Sequence, residues 1–218
     1  MTDQIKIDFE KTIQASGLSR DDIDLKKKFL DRFITSGIPS RKNEDWKFSD
    51  INQIIQKNIG ELSFFNDYSS SNKIDTSIFV GGLEHNKIVF INGKIEKIDF
   101  SYEDKEKIEF KESSQQDDDL KNSNSLIDLN NAFTNKIFKI FIKKNYSLKK
   151  PLIIYHTTNE KIKSKNINLK LEFQLEQNSC LRLIDYFNHS SEKNFINIFY
   201  NFDLKKDAIL KNFKVDKK

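Results

Sequence analysis

Asn145-Tyr146-Ser147-Leu148-Lys149-Lys150-Pro151-Leu152-Ile153-Ile154, Gln177-Asn178-Ser179-Cys180-Leu181-Arg182-Leu183-Ile184 and Lys206-Asp207-Ala208-Ile209-Leu210-Lys211-Asn212-Phe213-Lys214-Val215 are three versions of one pattern. Each opens on a polar corner holding Asn or Asp and then enters an apolar run. The anchors Leu148, Leu181 and Leu210 lie 33 and 29 residues apart. Between them run two alternating segments, Ile167-Leu169-Leu171-Phe173-Leu175 and Ile196-Ile198-Tyr200-Phe202, with the period of two that a β-strand requires. Corner, strand, strand, corner at a loose period near thirty is what a β-solenoid needs, with each coil stacked on the last around a continuous apolar column. Alternation alone fits an antiparallel sandwich or meander equally well.

Upstream the pattern changes. Ile5, Phe9 and Ile13 recur every four residues, and Gly17 offers a stop. Ser19 followed by Arg20-Asp21-Asp22 reads as an N-cap with acids that suit the helix dipole. Leu25, Phe29, Leu30, Phe33 and Ile34 share one helical face, ended by Gly37 and Pro39. Ile51, Ile54, Ile55 and Ile59 predict a third short helix closed by Gly60. Residues 63–77 read as a polar loop. Ile88-Val89-Phe90-Ile91-Asn92-Gly93-Lys94-Ile95 carries an Asn-Gly hairpin turn between β-rich runs. Residues 111–125 form a polar connector with one apolar residue in fifteen, and Leu126 to Phe133 a short helix.

The chain has 218 residues, 37% of them hydrophobic, with 37 basic against 33 acidic side chains. A net charge of +4 is no nucleic-acid polycation. Lys26-Lys27-Lys28, flanked by acids, reads as a solvated helix face. Cys180 is the single cysteine, so no intrachain disulfide forms, and a small packing role suits its place before Leu181. No basic n-region with an apolar core, and no spanning helix, is visible; a cytoplasmic location fits.

Catalytic patterns are absent. His85, His156 and His189 stand 71 and 33 residues apart, without short-range metal spacing, and read as scattered surface or corner histidines. A 33-residue step would bring His156 and His189 to neighbouring coils, with Cys180 nearby. There is no phosphate-binding glycine loop and no nucleophile elbow. Asp117-Asp118-Asp119 reads as a flexible acidic loop. Asp185 and Asp203 are the acids that a carbohydrate-active β-helix enzyme, such as a polysaccharide lyase, would use, but no convergent groove is evident in the sequence.

One further stretch stands out: Gly37-Ile38-Pro39-Ser40-Arg41-Lys42-Asn43-Glu44-Asp45-Trp46-Lys47-Phe48. It holds one of two prolines, one of four arginines and the only tryptophan. Trp46 reads as a buried anchor, and Arg41 as a partner for Glu44 or Asp45 that fixes the turn between helices. The stretch resembles the signature G-[LI]-P-[ST]-R-[KR]-x-E-x-W-[KR]-[YF] of SufD-like proteins, scaffolds of iron–sulfur cluster assembly related to SufB. Pro39, Arg41, Glu44, Trp46 and Lys47 are its structural residues here. Val89 to Gly93, the segment ending Lys149-Lys150-Pro151-Leu152-Ile153-Ile154, and Glu176 to Tyr186 match further family elements in order.

The resemblance implies a mainly β fold with an α-helical N-terminal region and a right-handed parallel β-helix, truncated at its C-terminal end. The expected regions are helices over 1–62, a small β-hairpin region and polar linker over 63–125, and first coils over 126–218. It implies a non-catalytic scaffold of the SUF machinery, with SufB-like and SufC-like partners and neither nucleic acid nor membrane. The iron–sulfur cluster would assemble transiently on the parent complex, and no cofactor is expected on this chain. Family members are about twice as long, so the chain is read as lacking the C-terminal partner-binding half and as binding neither partner tightly. Having Cys180 alone, it resembles SufD more than SufB.

Overall fold

Hydrophobic spacing builds the first layer of the fold. In the computed structural model, which describes residues 2–41, 46–66, 75–114, 124–160, 162–188 and 193–217, helices α1 (Thr2–Ser16) and α2 (Arg20–Ser36) bury Ile5, Phe9, Phe29, Leu30 and Phe33 in one cluster. Ser19 caps α2 by accepting from Asp22 N at 3.2 Å, as the sequence predicts. Gly37, at φ 70°, donates its N–H to Phe33 O at 2.7 Å and ends the helix. Helix α3 (Ile51–Asn58) is capped by the Asp50 side chain, which accepts from Gln53 N at 2.9 Å.

A hairpin, a second antiparallel pair and a run of parallel strands follow. Strands β1 (Asn86–Ile91) and β2 (Lys94–Asp99) pair antiparallel around Asn92 and Gly93, both at positive φ (54° and 82°), as an Asn-Gly turn demands. Strand β3 (Ile108–Ser113) pairs antiparallel with β4 (Ile137–Ile142), and α4 (Ser125–Phe133) lies between them in sequence. Strands β5 (Leu152–Thr157), β6 (Asn166–Leu175), β7 (Cys180–Asn188), β8 (Phe195–Leu204) and β9 (Ile209–Lys217) complete two mixed, open sheets. Their orders are β2-β1-β5-β7-β9 and β3-β4-β6-β8. The protein is thus α/β, with four α-helices and nine strands among the described residues.

From β4 onward successive strands alternate between the sheets, and every pairing among them is parallel. An antiparallel meander is therefore not the arrangement of this region. Ile137 faces Lys170, Asn166 faces Phe195, Leu152 faces Leu183 and Cys180 faces Ile209, steps of 33, 29, 31 and 29 residues. The predicted corners are where the backbone turns: Asn145, Asn178 and Asp207 all adopt left-handed φ, at 59°, 58° and 57°. They stack on one another. Asn145 N donates to Gln177 O at 2.9 Å, Asn178 N to Lys206 O at 3.1 Å, and Asn178 Nδ2 to Asn145 Oδ1 at 2.8 Å. Asn and Asp tolerate this conformation because their short polar side chains bond locally.

The anchors lie between the sheets. Leu148 and Leu181 are buried, Leu210 is partly so, and they join Ile88, Leu152, Ile154, Leu171, Phe173 and Leu183 in the main core. On the outer face of the second sheet, α4 is held by asparagines. Asn130 Nδ2 donates to Leu169 O and Asn197 O, and Asn197 Nδ2 to Leu126 O, each at 2.8 Å. Helix α2 then docks on α4 through an Arg32–Asp128 ion pair at 3.3 Å and through Lys26.

Lys26 corrects the reading of the triple-lysine face. Lys27 and Lys28 are exposed, but Lys26 is only 1% exposed. Its Nζ donates to Asn131 O at 3.0 Å and Thr134 O at 2.5 Å, at the C-terminal end of α4. Burial, aided by the charge of Lys170 and opposed by Asp22, pulls its pKa down to about 7. The cation suits the negative end of the helix dipole, which offsets part of that desolvation.

Replacing Asn178 with Ala should cost about 1–2 kcal/mol in urea unfolding, since Ala resists left-handed φ and loses the bond to Asn145; Gly should cost less.

Candidate functional site

The described signature residues, Pro39, Arg41, Trp46 and Lys47, line no cavity found among the described residues. Pro39 is buried just after α2, Trp46 is half-buried, and Arg41 and Lys47 are exposed. Lys47 Nζ lies 5.2 Å from the ring of Phe48, which is itself 89% exposed. Glu44 and Asp45 lie outside the described residues, and so does their expected pairing with Arg41. Trp46 therefore anchors less completely than the sequence reading expects.

The polar constellation with the most developed geometry lies between the two sheets. His156 of β5, Asp185 of β7 and Tyr200 of β8 meet between the two sheets. His156 Nε2 is 3.0 Å from Tyr200 Oη and 3.3 Å from Asp185 Oδ1, and the Tyr200 hydroxyl donates to the same Oδ1. Because the Tyr200 proton goes to Asp185, Nε2 must carry the hydrogen that His156 directs at this pair. The imidazole is stacked between Phe90 (5.8 Å, 6°) and Phe187 (4.7 Å, 20°), its register neighbours on either side. Burial, then the Asp185 charge, raises the Tyr200 phenol well above its ordinary value.

This arrangement corrects the reading of the histidines as surface or corner residues. His156 and Asp185 are both buried. So is His85, whose Nε2 lies 2.7 Å from Tyr155 Oη and whose Nδ1 lies 2.6 Å from Leu83 O. Burial is the main cause that lowers the pKa of His85. His189 and the Asp117 to Asp119 run lie outside the described residues. Cys180 is partly exposed at the start of β7, in register with Ile209 and on the face opposite Leu181.

The period of two carried the missed information. Leu152-Ile154-His156, Leu183-Asp185-Phe187 and Ile198-Tyr200-Phe202 are inward-facing series, each with one polar member. Chemically, the trio joins the sheets. It adjoins a cavity of ≈ 10 Å³ lined by Phe90, Gly93, His156 and Thr158, room for about one water. Asp203 does not join it; it is exposed and pairs with Lys205 at 2.8 Å. Among the described residues no group of three or more His, Cys, Asp or Glu is placed to hold a metal, and no helix is long and apolar enough to cross a membrane.

Glu103 is a second buried centre missed in the sequence. Its carboxylate accepts from Asn86 Nδ2 (2.7 Å), Tyr146 Oη (2.7 Å), Lys149 N (3.0 Å) and Lys150 N (3.0 Å). It thereby ties the β2–β3 connection to the corner before β5. Burial pushes its carboxyl up, but these donors together outweigh burial and hold it below the ordinary 4.5.

Among the described residues, β8 and β9 each have one unpaired side, and Leu204, Ile209, Phe213 and Val215 on these strands are exposed. No family model matches this chain, and no curated protein matches it either.

Tyr200→Phe should lower unfolding stability by about 1–3 kcal/mol, because the buried Asp185 carboxylate loses a donor. Glu103 is held below its unfolded value, so its contribution is fully present above about pH 4.5 and lost as pH falls through the folded pKa. In Glu103→Gln, acid unfolding followed by circular dichroism should lose that component, and stability at neutral pH should fall by about 1–3 kcal/mol.

Proposed function

We propose that this chain is a non-catalytic scaffold of the SufD-like kind, acting in SUF-type iron–sulfur cluster assembly with SufB-like and SufC-like partners in the cytoplasm. In this reading the alternating parallel strands are coils of a right-handed β-helix, and the helices before them form the family's N-terminal region. The observation that carries it is the parallel stack itself. Strands in register at steps of 29 to 33 residues leave β8 and β9 with free backbone donors and acceptors. Such edges bind other chains by strand pairing. The signature at 37–48 supports the family reading through sequence alone.

The carbohydrate-active alternative draws less support. Asp185 is buried between the sheets, while Asp203 is exposed beside Lys205, so the two acids do not line one groove.

Co-expression with a SufB-like protein tests the proposal. Weak association is expected, readable by sedimentation, and Lys214→Pro should abolish it by removing an edge donor, since Ile209 N bonds to Ser179 O and the alternation of the parallel ladder turns the N–H of Lys214 away from β7. Absence of association at high micromolar concentration would defeat the scaffold reading, as would turnover of an anionic polysaccharide by the purified chain.

A further inference from the structure

The outer face of the first sheet carries two apolar rows. Ile153, Ile184 and Phe213 are in register, and so are Tyr155, Tyr186 and Val215. At the β1–β5 end the chain covers these rows itself. Ile78, Phe79 and Val80, led by a 3₁₀ turn over Thr76–Ile78, pack on Val89, Ile91, Ile153 and Tyr155. Tyr155 Oη accepts from Val80 N at 3.0 Å, and the Phe79 ring meets the Tyr155 ring edge-on at 5.1 Å. The turn is capped by Asp75, whose side chain accepts from Ser77 N at 2.9 Å.

At the β7–β9 end the same rows continue, and among the described residues nothing packs over Phe213 and Val215. Phe213 is 59% exposed, Val215 41% and Ile209 51%, with Ile184 and Tyr186 partly open beside them. Cations bound the patch on both sides. Arg182 and Lys211 are direct register neighbours, an unfavourable like-charge juxtaposition, and both are exposed. Lys217 closes the other end, within electrostatic reach of Asp75. An apolar centre between positive ends fits a partner with carboxylates around an apolar core.

We propose that the outer face of β7 and β9 is a docking site for a short acidic-ended apolar segment of a partner protein, of the kind the chain itself lays on β1 and β5. Phe213 and Val215 supply the apolar seat, and Arg182 with Lys211 meets the carboxylate end. This inference rests on the sheet's outer face and does not depend on the SUF assignment.

The probe is a fluorescein-labelled peptide carrying the sequence of residues 75–80 between two glutamates, titrated into the full chain and followed by fluorescence anisotropy. Saturable binding is expected, weakened about tenfold by Phe213→Ser and by Lys211→Glu, and lost when the peptide's acids become lysines. Both substitutions sit on exposed positions, and circular dichroism confirms that each variant remains folded. Absence of binding, or binding that neither variant weakens, would overturn the proposal. So would concentration-dependent self-association abolished by Phe213→Ser, which would make a second copy of the chain the occupant.

Discussion

Every strand from β4 onward depends on parallel pairing with a strand about thirty residues away. A single strand cannot satisfy its backbone groups or bury its inner side chains. Parallel pairing within two facing sheets solves both needs at once, but only when the chain turns at the same place each time. The left-handed residues Asn145, Asn178 and Asp207 supply that place, and the bonds from one corner to the next keep the turns superposed. When a corner slips by one residue, the strand after it turns its apolar side chains outward.

Within that frame the polar groups of the core set which strand meets which. Leu and Ile columns alone would tolerate several alignments, since one apolar side chain packs much like another. His156, Asp185 and Tyr200 do not, because their hydrogen bonds form only when β5, β7 and β8 meet in one register. Glu103 plays the same part for the connection between β2 and β3, which has no regular strand partner to hold it. Buried polar groups of this sort give up some hydrophobic stabilisation and gain a single arrangement.

Much of this was legible in the sequence. Helix limits followed from Ser19, Gly37 and Gly60, the hairpin from Asn92-Gly93, and the corners from recurring Asn and Asp before apolar runs. Those are local effects, where a residue's own backbone preference decides. Lys26 was misread because charge pattern along a helix cannot show that the carbonyl end of α4, over a hundred residues away, waits for a cation. His156 and Asp185 are a different case: the sequence reading pairs His156 with His189 and Asp185 with Asp203, although their parity with neighbouring leucines places both inward. The polar trio becomes visible only when three strands, distant in sequence, are brought side by side.

The two antiparallel pairs lie at one end of the sheets, with β2 and β3 as the outermost strands there. That end is made first as the polypeptide leaves the ribosome. Each later strand then emerges beside a finished parallel partner and has only some thirty residues of chain to close, a modest entropic demand. The direction of translation and the direction of growth coincide, so the nascent protein is expected to fold vectorially, one turn at a time.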